Sequence, residues 1–180
     1  MNTEESLINR VIRGDLFAFK QLIGQHEKLV THMIARIIDN DEDVKDISQE
    51  VFIKVFKNLA KFNFNAKLST WIAQIAYRTA INHANKFLRQ NFVIGDEIEH
   101  ELINYETPEH ILNAKTESEF LQYHIEKLPL AYRTVITLYH LNEFTYREIE
   151  EITGMPEGTV KNYLFRARQL LKQRLEKYYK

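Results

Sequence analysis

Apolar residues recur along this chain at the spacing of an α-helix almost without a break. Leu7, Ile8, Val11 and Ile12 form a first stripe; Phe17, Phe19, Leu22 and Ile23 resume it after Gly14, and Leu29, Val30, Met33, Ile34 and Ile37 carry it on. Residues three and four apart share one face of a helix, so each stripe asks for a second helix to cover it. Five Gly and three Pro in 180 residues leave few places to turn, and a 44% hydrophobic content with eleven Phe is enough to fill a core. The fold class expected is all-α, built from long helices. Arg13-Gly14-Asp15 reads as a helix break with Asp15 as the next N-cap. Asp41 to Asp46 opens a further helix with acids in its first turn, where the macrodipole favours them. Val51, Phe52, Val55, Phe56 and Leu59 are expected on its buried face, and Ser69 and Thr70 start another helix running through Trp71, Ile72, Ile75, Ala76, Ala80 and Ile81.

Several function classes drop out. The chain has no cysteine, which removes disulfide scaffolds, thiol redox chemistry and thiolate zinc ligands. Charges at Glu4, Glu5, Arg10, Arg13 and Asp15 argue against a signal peptide. No uncharged apolar run approaches the roughly 20 residues of a membrane helix; the expectation is a cytoplasmic protein with no membrane insertion. The histidines show no pair four apart, and neither a catalytic triad nor a phosphate-binding glycine loop is visible. No metal, no cofactor and no enzymatic activity is expected.

Charge divides the chain. Between Glu50 and Asp96 there is no acid, while Lys54, Lys57, Lys61, Lys67, Arg78, Lys86 and Arg89 are positive. From residue 95 to 120 the sign reverses, with Asp96, Glu97, Glu99, Glu101, Glu106, Glu109, Glu117 and Glu119 against Lys115 alone. With Gly95 and Pro108 inside it, this stretch reads as a linker. The expected organisation is a helical domain over 1–92, an acidic linker over 93–115 and a second helical domain over 116–180.

The second domain carries a local signature. Thr145-Tyr146-Arg147-Glu148 is a capping box at the start of a short helix, Thr153-Gly154-Met155-Pro156 turns the chain, and a second helix runs from about Glu157 to Tyr178. Helix, short Gly-containing turn, helix is the layout of a helix-turn-helix. At about 100° per residue, Val160, Leu164, Ala167 and Leu171 fall inward, leaving Lys161, Asn162, Phe165, Arg166 and Gln169 outside. Such a face suits a major groove: Arg and Lys bond guanine or phosphate, Asn bonds adenine, and an apolar edge meets a thymine methyl. Seven positive against two negative side chains over residues 157–180 give a local net charge of +5.

The acid-free window suggests a second kind of binding. In KFNFNAKLSTW, residues 61 to 71, Phe62, Phe64 and Trp71 stand among Lys61, Asn63, Asn65 and Lys67. Basic grooves with aromatic platforms take single-stranded nucleic acid, with phosphates on the cations and unstacked bases on the rings.

Together these strings resemble a bacterial RNA polymerase sigma factor of the extracytoplasmic-function (ECF) class, over nearly the whole chain. Asp43-Val44-Lys45-Asp46-Ile47-Ser48-Gln49-Glu50-Val51-Phe52 is similar to the family's region 2.2; Leu68-Ser69-Thr70-Trp71-Ile72-Ala73-Gln74-Ile75-Ala76 is similar to its promoter-melting helix. Leu128-Pro129 through Val135, and Glu157-Gly158-Thr159-Val160-Lys161 through Arg168, look like region 4. The resemblance implies two small helical domains. It places the β′ clamp of core RNA polymerase on Asp43, Asp46, Gln49, Glu50, Phe52 and Ile53, with the β flap as a further contact. It places single-stranded DNA of the −10 element on Lys61, Phe62, Asn63, Phe64, Asn65, Lys67, Trp71 and Arg78, where a base flipped from the non-template strand is received. Duplex DNA of the −35 element falls to Thr159, Lys161, Asn162, Phe165, Arg166 and Arg168. An anti-sigma factor is a further implied partner. Two positions depart from the family pattern: Arg78 stands where an Asn is frequent, and Glu150 where helix-turn-helix units place a small Ala. Two other readings remain open, a dimeric helix-turn-helix regulator that works without polymerase and a helical interaction adaptor.

Overall fold

The computed structural model describes residues 3–91 and 117–176. The expected acidic linker 93–115, Phe92 and Lys177 to Lys180 lie outside those residues, as do the side chains of Phe87 and Arg89. The chain divides into two compact units, Met1–Val93 with Glu150–Gly154, and Ile94–Ile149 with Met155–Lys180. The described residues form α-helices and one 3₁₀ turn, with no strand among them.

The first unit holds α1 (Thr3–Ile12), α2 (Leu16–Ala35), α3 (Asp41–Asn58) and α4 (Leu68–Asn91), with the 3₁₀ turn Leu59–Lys61 between α3 and α4. Helix α2 packs on α1, α3 and α4, and α3 packs on α4. Leu7, Ile8 and Val11 from α1 meet Leu22, Val30, Met33 and Ile34 from α2, Val44, Ile47, Val51 and Val55 from α3, and Leu68, Ile72, Ala76 and Ala80 from α4 in one core. Each of the larger side chains contributes about 1.5–3 kcal/mol by leaving water.

Local signals set the phase of these helices. Gly14 takes a left-handed φ of 89°, and Asp15 caps α2 by accepting from the Ala18 amide at 3.0 Å. That amide, and secondarily Arg10, holds the Asp15 carboxyl below its ordinary range. Asn40 caps α3 by accepting from the amides of Glu42 and Asp43, at 2.8 and 3.1 Å, a cap that the acidic run alone did not indicate.

The cap on α2 corrects the stripe expected there. It turns Ala18 and Leu22 inward, both fully buried, and leaves Phe17 84% exposed. In α3 the inward face runs Val44, Ile47, Val51, Phe52 and Val55, so Phe56 falls off its edge and is exposed. The Phe56 ring instead packs beside Phe19, 4.9 Å away.

The second unit contains α5 (Glu117–Glu126), α6 (Leu130–His140) and α8 (Glu157–Glu176), while α7 (Tyr146–Thr153) is shared, its residues 146–149 in the second unit and its remainder in the first. Helix α8 packs on α6 and α5. Thr134 to Leu138 of α6 and Val160, Leu164, Ala167 and Leu171 of α8 are buried. The capping box is formed: the Thr145 amide donates to Glu148 Oε2 at 2.8 Å and the Glu148 amide donates to Thr145 Oγ1 at 3.3 Å. Thr145→Ala should therefore cost about 1 kcal/mol in a urea melt of the full chain. Gly154 then ends α7 with a left-handed φ of 77°, its amide donating to the Glu150 carbonyl at 2.8 Å.

Candidate nucleic-acid interface

In the first unit the loop between the 3₁₀ turn and α4 is built around two asparagines. Asn63 Oδ1 accepts the Asn65 amide at 3.2 Å, a tight Asx-type closure, and Phe64 between them takes a φ of 60°. That left-handed backbone costs a non-glycine residue about 1–2 kcal/mol, and it lifts the Phe64 ring away from the core to 52% exposure. Phe62 differs. Its amide closes the 3₁₀ turn onto the Leu59 carbonyl and its ring is buried, 4.9 Å from Phe64 and 5.4 Å from Trp71. The three rings thus form a cluster with Phe62 as its floor, half-buried Trp71 as its wall and Phe64 as its open edge. The expectation of three rings open to a base is corrected at Phe62, which cannot stack on a ligand from inside the core.

Lys61, Asn63, Asn65, Lys67 and Arg78 are all exposed around this cluster. Trp71 and Arg78 are two turns apart and share a face of α4, which continues through exposed Asn82 and Asn85. Neither asparagine was expected at this surface from the sequence. Four- and seven-residue offsets from Arg78 would have found them.

On α3, Asp46, Gln49, Glu50 and Ile53 are exposed along one face and Asp43 is half-buried. Phe52 of the same expected set is only 7% exposed, on the opposite face in the core. Glu50 pairs with Lys54 at 2.7 Å, and Lys54 also donates to the Thr79 hydroxyl at 3.2 Å, tying α3 to α4.

In the second unit α8 separates two jobs cleanly. While Val160, Leu164, Ala167 and Leu171 face inward, Lys161, Asn162, Phe165, Arg166, Arg168 and Gln169 face out, Phe165 at 60% exposure. Thr159 is half-buried at the first turn. The cations are braced rather than loose. Lys161 pairs with Glu157 and lies 5.3 Å above the Tyr146 ring. Arg166 is hydrogen-bonded to the Tyr132 side chain, and Tyr132 packs edge-on against Tyr163, 5.1 Å away. Arg168 reaches His140 and the Tyr139 ring. Glu150, at the position where a small residue was expected, is half-buried on α7. None of these tyrosines was legible as a brace, because the contacts join helices far apart in sequence.

Among the described residues no group of His, Asp and Glu is arranged to hold a metal ion, and no helix is long and apolar enough to cross a membrane.

Comparison with known proteins identifies the family. The family model for Sigma-70 region 2 matches residues 22–89, and that for Sigma-70, region 4 matches residues 121–171. The ECF RNA polymerase sigma-E factor of Haemophilus influenzae is 30% identical over 97% of this chain and 96% of its own length. The chain belongs to the ECF sigma factors. The ECF RNA polymerase sigma factor SigW of Bacillus subtilis is 32% identical over 93% of this chain and 94% of its own. The sigma factor RpoE of Bartonella quintana, solved with the anti-sigma factor NepR, shares the fold at a TM-score of 0.68, with 19% identity over 88% of this chain and 96% of that one. CnrH, solved with the cytosolic domain of CnrY, does so at 0.67, with 18% identity over 94% and 95%. A sigma factor directs core RNA polymerase to promoters and initiates transcription there, so both of the helical units have a task. A free-standing helix-turn-helix regulator would leave the region 2 match without one.

Proposed function

We propose that this sigma factor meets polymerase through the exposed face of α3 and promoter DNA through two separate surfaces. Residues 1–92 act as the module for polymerase and the −10 element, 93–115 as an acidic tether, and 116–180 as the module for the −35 element. Asp43, Asp46, Gln49, Glu50 and Ile53 meet the β′ clamp, with Phe52 supporting them from the core, and the β flap receives the second module. The 23 residues of the tether reach roughly 75 Å when extended, enough to let two modules engage separated DNA elements. At the −10 element Phe64 and Trp71 take unstacked bases, Lys61, Lys67 and Arg78 take phosphates, and Asn63 and Asn65 supply amides for base edges. At the −35 element α8 enters the major groove with Asn162 and Phe165 central and Lys161, Arg166 and Arg168 at its flanks. One observation carries this reading: a single helix buries Val160, Leu164, Ala167 and Leu171 while presenting an exposed Phe165 between cations and an asparagine. A ring set beside an amide and cations on one face has the groups that meet a thymine methyl, an adenine edge and phosphates in a major groove.

The chemistry of RNA synthesis belongs to the polymerase, and the chain itself performs no catalytic step. Its place of action is the cytoplasm. The RpoE relative was solved with an anti-sigma factor, and a partner of that class is expected here too.

Run-off transcription with core polymerase on a promoter library tests the reading. The expected result is a defined set of start sites sharing a −10 and a −35 motif. Nanomolar binding of the polymerase-free chain to duplex DNA as a dimer, with no transcript from the library, would overturn it. On the motifs so found, Arg166→Ala and Lys161→Ala should each weaken −35 duplex binding and flatten the log–log salt dependence by about 0.9 for each phosphate left without its cation. Neither should change transcription from a template whose −10 region is already open. Equal failure on such a template would move the recognition face elsewhere.

A further inference from the structure

Arg168 Nε and Nη2 lie 3.2 and 3.0 Å from one atom, His140 Nε2 at the end of α6. A guanidinium stays protonated in proteins and only donates. The imidazole nitrogen facing it must therefore be the acceptor, which makes the ring neutral with its proton on Nδ1. The same guanidinium lies 5.4 Å from the centre of the Tyr139 ring; Tyr139 stacks on Tyr146 at 5.1 Å and 14°, and Lys161 Nζ lies over the Tyr146 ring at 5.3 Å. Two tyrosines from α6 and α7 thus form a shelf that carries two cations of α8.

We propose that His140 is a positioning residue for −35 readout: it latches Arg168 against α6 through a nitrogen that can accept only while the ring is neutral. The proposal rests on the reading of α8 as the −35 helix. With the latch closed, Arg168 stands at a fixed place on the flank of the helix, and Asn162 and Phe165 enter the groove in one register. Protonation turns both ring nitrogens into donors, so the bond to Arg168 breaks and two like charges face each other. Arg168 is then free to follow any nearby phosphate, and the imidazolium beside it adds a second charge. Backbone grip rises while sequence discrimination falls.

The groups that face the ring are Arg168 from α8 and Tyr139 on its own helix, whose ring lies 5.0 Å away edge-on; Tyr146 of α7 reaches it through Tyr139. Partial burial first, and then the charge of Arg168, hold the His140 titration below the ordinary imidazole range. The latch is accordingly closed at neutral pH and opens as the solution is acidified.

The test uses the full chain at low salt, binding a duplex that carries the −35 motif found by run-off transcription and a scrambled duplex of equal length. Affinities are taken over a salt series at about pH 8 and about pH 5, on either side of an imidazole titration. For the wild-type chain the log–log salt slope should steepen by about 0.9 on acidification, with a fall in the promoter-to-scrambled ratio. H140Q retains an acceptor at the position of Nε2 but takes no proton, so its slope and ratio should ignore pH. R168A should show a shallower slope at both pH values. A thermal melt of each variant, exposed as both positions are, should match wild type. If H140Q follows the wild-type pH response, the latch is overturned; Phe165→Ala shows whether the α8 reading survives it. A Phe165→Ala variant that still prefers the promoter duplex as wild type does overturns the reading and the latch together.

Discussion

Phe62→Ala is expected to lower the stability of the first unit by about 3–5 kcal/mol, the usual cost of emptying a buried aromatic site. Its neighbour should behave in the opposite way. Phe64→Gly removes an exposed ring and relieves a left-handed backbone worth about 1–2 kcal/mol, against about 0.5–1 kcal/mol for the extra freedom of glycine in the unfolded chain. Its stability should therefore stay within about 1 kcal/mol of wild type. Promoter opening should instead suffer by about 1–3 kcal/mol, the worth of one base stacked on an aromatic. Urea melts of the two variants, beside open-complex formation followed with a fluorescent base in the −10 element, decide the matter. A Phe64→Gly variant that opens promoters normally would remove the ring from the −10 surface. A Phe62→Ala variant as stable as wild type would show that its site collapses without cost and that Phe62 is no floor.

The second large effect concerns α3. Ile53 is 53% exposed on a face that also carries Gln49 and Glu50. An apolar side chain left in water among polar ones is a candidate anchor, and truncating an anchor costs about 2–4 kcal/mol of binding. Ile53→Ala should thus weaken competition for core polymerase by roughly 30- to 1,000-fold, at about 1.4 kcal/mol per decade, with an unchanged melt. Full competitive strength would move the docking face off this side of α3.

The all-helical architecture was legible because periodicity is an average over many residues. Four stripes can each lose a residue and still require helices that cover one another. Helix α8 was the clearest element: the positions expected inward, Val160 to Leu171 at helical spacing, are buried, and the capping box before α7 is hydrogen-bonded as its residues require. What escaped was phase at helix starts and contact across helices. Phe17 joined the wrong face because one cap, Asp15 to the Ala18 amide, rotates the first turn of α2. Phe62 was placed in an open loop because a three-residue 3₁₀ turn, which has no periodic signature, folds it back into the core. The ring cluster of residues 62–71 could be named from composition, yet which ring faces solvent depends on a single φ at Phe64. The bracing of Lys161, Arg166 and Arg168 by Tyr146, Tyr132 and Tyr139 depends on tertiary geometry, which no spacing along the chain encodes.

The division of labour on α8 has a bearing on how such a protein can diverge. Asn162, Phe165 and Gln169 make up the middle of its outer face and share no side with the buried stripe. Exchanges there carry little penalty to folding, so if α8 reads the −35 element as proposed, promoter preference can drift by single steps. The flanks are less free. Lys161 and Arg168 are tied to tyrosines and a histidine on two other helices, so a change at either one strands a partner elsewhere. Variation among descendants of this chain should accordingly gather at the centre of the helix one residue at a time, and reach its edges only through paired exchanges with α6 and α7.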